Sequence, residues 1–396
     1  MNYRSCRLRP GREKSLLRRH QWIFSGALEN PDMDFEPGEC ITVCDAKGSP
    51  LAVAAWSPDS QLRARVWSFD PEKIIDAVFF REQINNAVAL RRELGLLDPA
   101  GGCRLIYSEG DQLPGIIVDR YGEFAAVQFT SAGADRFRDI IVKLLLELPF
   151  INGVYERSDA PVRSKEGLPV RCGELGGKPI PEKIVFKENG ITFETDLRHG
   201  QKTGFYFDLR SAREKIKTLA SGKKVLNVFA YTGGFACAAF AGGAASVLNI
   251  DASAPALEQC RKNLLVNGFT GNWENLCGDA FKLLRKLDES GEKFDLIILD
   301  PPKLIPGKSA MLRGCRGYQD LARLGFKMLN KNGILCNFSC SGLMEMPLFQ
   351  KITADAALDA GRSAGIICRL EQAPDHPTAL GVPETFYLKG LISVAD

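Results

Sequence analysis

From about residue 186 onward, short apolar runs alternate with stretches of helical length, and this alternation constrains the fold more than any other feature of the chain. The runs fall at 224–229, 246–251, 273–277, 294–299 and 333–339. Successive parallel strands need a crossover, and a helix fills it, so the order strand, helix, strand, helix calls for an α/β fold: a doubly wound, mostly parallel sheet with helices on both faces. Two later runs, 366–370 and 385–393, close that sheet. Sheets of this class hold ligands outside the carboxyl ends of their strands. The residues just past each strand are therefore where chemistry is to be sought.

The first half of the chain reads differently. Strands at 39–45, 51–56 and 62–69, each bounded by turn formers, make a small β-barrel pattern. After Pro71, apolar residues recur at helical spacing over 74–94, a connector. Strands at 104–109, 115–119 and 123–130, a helix over 134–148 and a strand near Val154 then form a small α+β module, with Tyr121-Gly122 as a hairpin turn. Three domains follow: a barrel over 1–75, the α+β module over 76–185, and the doubly wound domain over 186–396. A length of 396 residues exceeds what one core serves.

Composition excludes several classes. Hydrophobic residues at 45% and charged residues at 25% suit a folded globular protein. No apolar run approaches the roughly 20 residues that span a bilayer, so no membrane partner is expected, and an arginine-bearing start without an apolar signal segment points to the cytoplasm. The 12 cysteines are irregularly spaced, which predicts mostly reduced thiols. Without a Cys-x-x-Cys, and with His20, His199 and His376 far apart, no metal is expected. The net charge is only +3, but residues 1–25 hold seven Lys or Arg against the single acid Glu13. That patch is either a nucleic-acid contact or a solvated basic terminus.

The run from Lys224 leads a strand into the turn at Gly233 and Gly234, ahead of a small-residue helix over 236–241. Glycines there let a ligand approach the backbone at a helix N-terminus, although a tight strand-to-helix connection fits equally well. Asp251, 17 residues after Gly234, ends the second strand, where an acid can accept from both hydroxyls of a ribose. Asp279 follows the third strand, suited to an adenine amino group, and Asp300-Pro-Pro-Lys303 follows the fourth. Each acid taken singly could be a strand-end cap. The four features in order on consecutive strands describe a nucleoside-cofactor site.

Together with Phe338-Ser-Cys-Ser-Gly-Leu-Met344, these residues resemble the class I methyltransferases of the 23S ribosomal RNA large-subunit methyltransferase I type, and the similarity covers the whole chain. Residues 12–26 resemble the opening of that family's RNA-binding PUA domain, and residues 199–210 its lid ahead of the sheet. The resemblance implies S-adenosyl-L-methionine as cofactor. Asn227, Phe229, Tyr231, Gly233, Gly234, Asp251, Asp279 and Asp300 would line its site, and Lys202, Thr203, Phe205 and Asp208 of the lid would pack over its methionine end. It also implies 23S ribosomal RNA as the partner and 5-methylcytosine as the product, with a homodimer left open.

C5 of a pyrimidine is a poor nucleophile, so methylating it requires a thiolate to attack C6 first. Cys340 stands just past a strand end between Ser339 and Ser341, whereas Cys336 lies inside the apolar strand. A packed small hydrophobe is the alternative for Cys340. If the fourth and fifth strands pair as in the family, Asp300 and Cys340 end about 5 Å apart, with Asp300 facing the N3 and amino edge of cytosine. Lys303 would anchor phosphate or tune the cysteine, or be a surface lysine. Many cytosine-C5 RNA methyltransferases carry a second cysteine after the fourth-strand proline; here Pro302 and Lys303 stand there. The base that takes the C5 proton is left unassigned, with Asp375 and His376 as candidates against a structural turn. Arg12, Lys14, Arg18 and Arg19 on the barrel, and Arg313, Arg316 and Tyr318 in a loop after Pro302, are expected RNA contacts, with a solvated surface as the alternative. The rivals are a uracil-C5 methyltransferase, an amino-group methyltransferase, which would place an aromatic residue where Lys303 stands, and a non-catalytic RNA-binding assembly factor.

Overall fold

A computed structural model describes residues 3–200 and 203–396. Its contacts form two compact units: one holds the residues up to Lys187 with Thr195–Phe207 and Pro374–Thr385, the other Glu188–Glu194, Asp208–Ala373 and Phe386–Asp396.

The first unit contains two five-stranded sheets. In the N-terminal one, Cys40–Cys44, Pro50–Trp56 and Ala64–Ser68 form the antiparallel meander that the turn signals predict. Two further strands flank it: Ser5–Arg7, parallel to Cys40–Cys44, and Trp22–Ile23, antiparallel to Ala64–Ser68. Neither is visible in the sequence, because two or three residues are too few to display an alternating period. The second sheet runs in the order Arg171–Gly177, Gly153–Ser158, Phe124–Phe129, Ile116–Tyr121, Gly102–Tyr107. The helix Ala77–Glu93 is capped by Asp76, whose carboxylate accepts from the amides of Val78 and Phe79. It buries Phe79, Phe80, Ile84, Ala87 and Val88. Trp67 of the first sheet packs edge-on against Phe80 of this helix at 5.2 Å, so both sheets of the unit share one apolar cluster.

Buried charges fix the rest of this unit. Arg91 has no solvent exposure; it donates to both carboxylate oxygens of Asp111 at 2.5 and 2.7 Å and to the carbonyl of Asp375 at 2.7 Å. The Asp375 carboxylate accepts from the amide of Arg104 at 3.1 Å, and the His376 ring lies 4.9 Å from that of Tyr107. Both residues of this turn are buried. Their polar groups are spent on holding the turn against the second sheet of the first unit, which is the structural reading of that motif.

The second unit is a seven-stranded sheet with strands β1 Lys224–Val228, β2 Ser246–Asp251, β3 Trp273–Cys277, β4 Phe294–Leu299, β5 Leu329–Ser339, β6 Ala364–Glu371 and β7 Lys389–Ala395. The order is β3-β2-β1-β4-β5-β7-β6. Strands β1 to β5 pair in parallel, and β7 is antiparallel to both β5 and β6. The sheet order turns outward from β1, towards β2 on one side and β4 on the other, and there a doubly wound sheet opens its crevice. The last strand begins four residues later than the sequence suggests, because Pro383–Thr385 forms a 3-10 turn in the first unit.

Replacing Arg91 with Leu leaves the Asp111 carboxylate buried without its cation. That should destabilise the fold by about 3–5 kcal/mol, read as a lower urea midpoint with little change in slope.

Candidate active site

The turn after β1 is held in an unusual backbone conformation. Phe229, Tyr231 and Gly233 all have positive φ, at 63°, 48° and 82°. A non-glycine residue there costs of order 1–3 kcal/mol unless its surroundings enforce it. Asp251 supplies the enforcement. One of its oxygens accepts from the Tyr231 amide at 2.8 Å, the other from the Ser253 amide at 2.8 Å, and the Ala230 amide reaches the Ile250 carbonyl at 3.0 Å. A single carboxylate thus ties the β1 turn to the start of the helix Ala254–Val266. It keeps lone pairs for further donors, since a carboxylate offers about four sites. Gly233 is needed for a second reason: a Cβ on it would stand 2.4 Å from the Cys260 sulfur. The helix Gly234–Ala241 begins directly behind it.

Asp279 is exposed and caps the helix Ala280–Glu289, accepting from the Lys282 amide at 2.9 Å. Cap and ligand acceptor are compatible roles for its two oxygens. Asn227 departs from expectation. Its side chain is fully buried and donates to Asn249 at 2.9 Å, which donates to Asn275 at 3.0 Å, a three-rung amide ladder across β1, β2 and β3. The ladder makes Asn227 a residue that fixes the register of three strands.

The expected lid residues are divided between the two units. Lys202 lies outside the described residues. Thr203, in the first unit, donates its hydroxyl to the buried carboxylate of Asp119. Phe205, in the same unit, packs against Phe186 at 5.1 Å and Phe207 at 5.3 Å. Asp208 belongs to the second unit, where it accepts from the Tyr387 hydroxyl and its carbonyl from the Ala373 amide.

At the other side of the crevice β4 and β5 are adjacent and parallel, with Leu299 opposite Asn337. Asp300 follows the end of β4 and Cys340 the end of β5. The Cys340 thiol reaches the Pro301 carbonyl at 4.0 Å and is part-exposed. Ser339 and Ser341, on either side of it, are fully buried. Cys336 is fully buried too, and burial pushes its thiol well above the ordinary range, with the Asp300 charge acting in the same direction.

Two expectations for the stretch after Pro302 are corrected. Arg313, Arg316 and Tyr318 lie on the helix Met311–Met328, not in a loop, and Tyr318 is 4% exposed with its hydroxyl 2.9 Å from the Ser341 hydroxyl. A buried ring bonded to the cysteine loop is unavailable for stacking on a base. Arg313, Arg316 and Lys303 are exposed. Arg12, Lys14, Arg18 and Arg19 are also exposed, around the short helix Lys14–Leu17, and Arg12 lines a cavity of about 270 Å³ with Trp22 and Phe24. Sequence reasoning passed over Lys389, the one charged residue of its strand, which is 2% exposed. Its signal was a charge where the strand period demands a core residue. Among the described residues, no group of three or more His, Cys, Asp or Glu is placed to hold a metal, and no helix is long and apolar enough to cross a membrane.

The strand order, glycine turn and strand-end acids define a class I S-adenosylmethionine-dependent methyltransferase domain, joined to an N-terminal PUA-like domain. The family description "S-adenosylmethionine-dependent methyltransferase" matches residues 165–386, and "PUA-like domain" matches residues 6–69. Ribosomal RNA large subunit methyltransferase I from Aeromonas salmonicida is 47% identical over 383 residues, 96% of this chain and 97% of that protein. The chain belongs to the ribosomal RNA large subunit methyltransferase I family. Two solved structures share its fold at 22% identity: a putative SAM-dependent methyltransferase from Streptococcus mutans, with a TM-score of 0.85 over 99% of this chain and 100% of that one, and a putative methyltransferase complexed with SAH, with a TM-score of 0.84 over 100% of both. S-adenosylmethionine is the cofactor. The unspent lone pairs of Asp251 and the exposed Asp279 suit its ribose and adenine.

Gly233→Ala combines a left-handed backbone with a 2.4 Å contact, and should lower stability by about 1–3 kcal/mol. The double variant with Cys260→Ala should recover only the contact part of the loss, because the backbone cost remains; thermal unfolding of both variants checks this.

Proposed function

We propose that this chain methylates C5 of a cytosine in 23S ribosomal RNA, with Cys340 as the covalent nucleophile. The observation that carries this reading is the part-exposed Cys340 thiol at the carboxyl end of β5, 4.0 Å from the carbonyl that follows Asp300 at the end of β4. A flat base entering between these strand ends meets a thiol on one side and a carboxyl group on the other.

When bound, S-adenosylmethionine supplies an electrophilic methyl group. The chain's own residues do the rest. Asp251 and Asp279 accept from the ribose and adenine, with Gly233, Gly234 and the backbone of Phe229 and Tyr231 shaping the turn against the cofactor; Thr203, Phe205 and Asp208, with Lys202, serve the lid. The Cys340 sulfur adds to C6 and the electron pair moves onto C5. Asp300 holds the N3 and amino edge and stabilises the ring as it accepts that pair. After methyl transfer, loss of the C5 proton returns its electrons to the ring, and the sulfur–C6 bond breaks. Cys336, buried in β5 with a raised thiol, is unsuited to the role.

RNA is gripped by the barrel of residues 1–75, a region distinct from the α+β module of 76–185 and the catalytic domain of 186–396. Arg12, Lys14 and Arg18 are exposed and, among the described residues, pair with no carboxylate. Such cations are suited to phosphate, and Arg313, Arg316 and Lys303 add to them. The family membership and these free charges support a cytoplasmic enzyme acting on ribosomal RNA.

Cys340→Ala should abolish methylation while sparing cofactor binding measured by calorimetry, and Cys336→Ala should keep appreciable activity. RNA carrying 5-fluorocytosine at the target cannot lose its C5 substituent as a proton, so it should leave a denaturation-resistant adduct that needs both Cys340 and S-adenosylmethionine. An active Cys340→Ala protein that traps no adduct would remove the cytosine-C5 reading. For the barrel, Arg12→Gln with Lys14→Gln should weaken RNA binding equally across sequences and reduce the slope of log affinity against log salt by about two.

A further inference from the structure

Lys389 opens β7 opposite Ser339 of β5, and its ammonium donates to the Ser341 carbonyl at 2.8 Å and the Tyr387 carbonyl at 2.6 Å. It therefore grips the chain on both sides of Cys340: strand pairing at the residue before, a hydrogen bond at the residue after. The side chain is 2% exposed. Burying an ammonium costs several kcal/mol unless an anion compensates it, yet among the described residues no carboxylate stands within ion-pair distance of Lys389. Two neutral carbonyls accept two of its three protons and leave its charge unbalanced.

The groups that face this corner come from four elements: Lys389 from β7, Cys340 from β5, Tyr318 from the helix Met311–Met328, and Lys303 with Asp300 from the segment after β4. Burial pushes the Lys389 amine down to about 8; Cys340 acts to raise it and Lys303 to lower it. Burial also raises the Tyr318 hydroxyl, so that it stays neutral. Asp300 bears on Cys336 and raises its thiol further. Of the groups facing this corner, Cys340 is the one whose negative charge favours the Lys389 cation.

We propose that Lys389 is a positioning residue for the reaction, a buried counter-cation that holds the Cys340 loop and keeps the sulfur as thiolate before RNA arrives. The proton leaves Cys340 for solvent, and the positive charge stays on Lys389. The role in catalysis rests on the reading of Cys340 as nucleophile; the charge pairing does not.

The pairing is tested on the full chain without RNA or cofactor. Iodoacetamide alkylation of Cys340 is followed against pH by peptide mass spectrometry, with the exposed Cys172 and Cys277 as internal standards. In the wild type, Cys340 should titrate below the ordinary thiol value of about 8.5. Lys389→Met should slow its alkylation at neutral pH by about tenfold, which corresponds to one unit of thiol pKa. Lys389→Arg should restore most of the rate, and the standards should not move. An unchanged Cys340 profile in folded Lys389→Met protein overturns the proposal. If that variant fails to fold, the wild-type titration decides: a Cys340 value at or above 8.5 refutes a paired thiolate equally. Loss of the 5-fluorocytosine adduct with a Lys389-dependent thiolate intact would sink the cytosine assignment alone.

Discussion

The parallel pairing of β4 with β5 is the constraint on which the proposed chemistry depends. Leu299 lies opposite Asn337, and Asp300 and Cys340 follow within a few residues at one end of the sheet. Neighbouring strands are held about 4.8 Å apart by their backbone hydrogen bonds. That spacing brings the two segments off the sheet side by side, and side-chain rotamers set the rest. A one-residue slip would turn every side chain beyond it to the opposite face. The buried serines and Tyr318 around Cys340 lock the loop once the register is set.

The same economy holds at the cofactor end. Asp251 ties two backbone amides from different segments, so the acid suited to a ribose also enforces the left-handed residues of the turn. A substitution there acts on the shape of the turn through both amides at once. The asparagine ladder behind it, Asn227 to Asn249 to Asn275, places amide pairs inside a largely apolar sheet. Buried polar groups of this kind are tolerated only when their partners are correctly placed. They favour one register over its neighbours.

Charge burial divides the molecule's electrostatics into two kinds. In the first unit Arg91 and Asp111 neutralise each other in a bidentate pair and fasten the 374–385 segment through Asp375. In the second unit Lys389 has, among the described residues, carbonyls but no carboxylate. Paired charges of the first sort position backbone. A buried cation without an anion favours the charged form of an acid beside it, which is the basis of the role proposed for Lys389.

Periodicity and strand-end residues in the sequence determined the doubly wound sheet, its first five strands, the glycine turn and the candidates Asp251, Asp279, Asp300 and Cys340. These are local signals: a strand's composition, a turn's glycine, an acid at a fixed offset. The strands Ser5–Arg7 and Trp22–Ile23 were illegible because they are shorter than any period, and partners distant in the chain recruit them. Only the tertiary structure decided that Tyr318 is buried on a helix, that Asn227 belongs to a ladder, that Asp375 and His376 are a packed turn, and that Lys389 reaches the Cys340 loop. Each of these outcomes is set by which residue stands across from another, and that is a property of strand register and packing, which no single stretch of sequence contains.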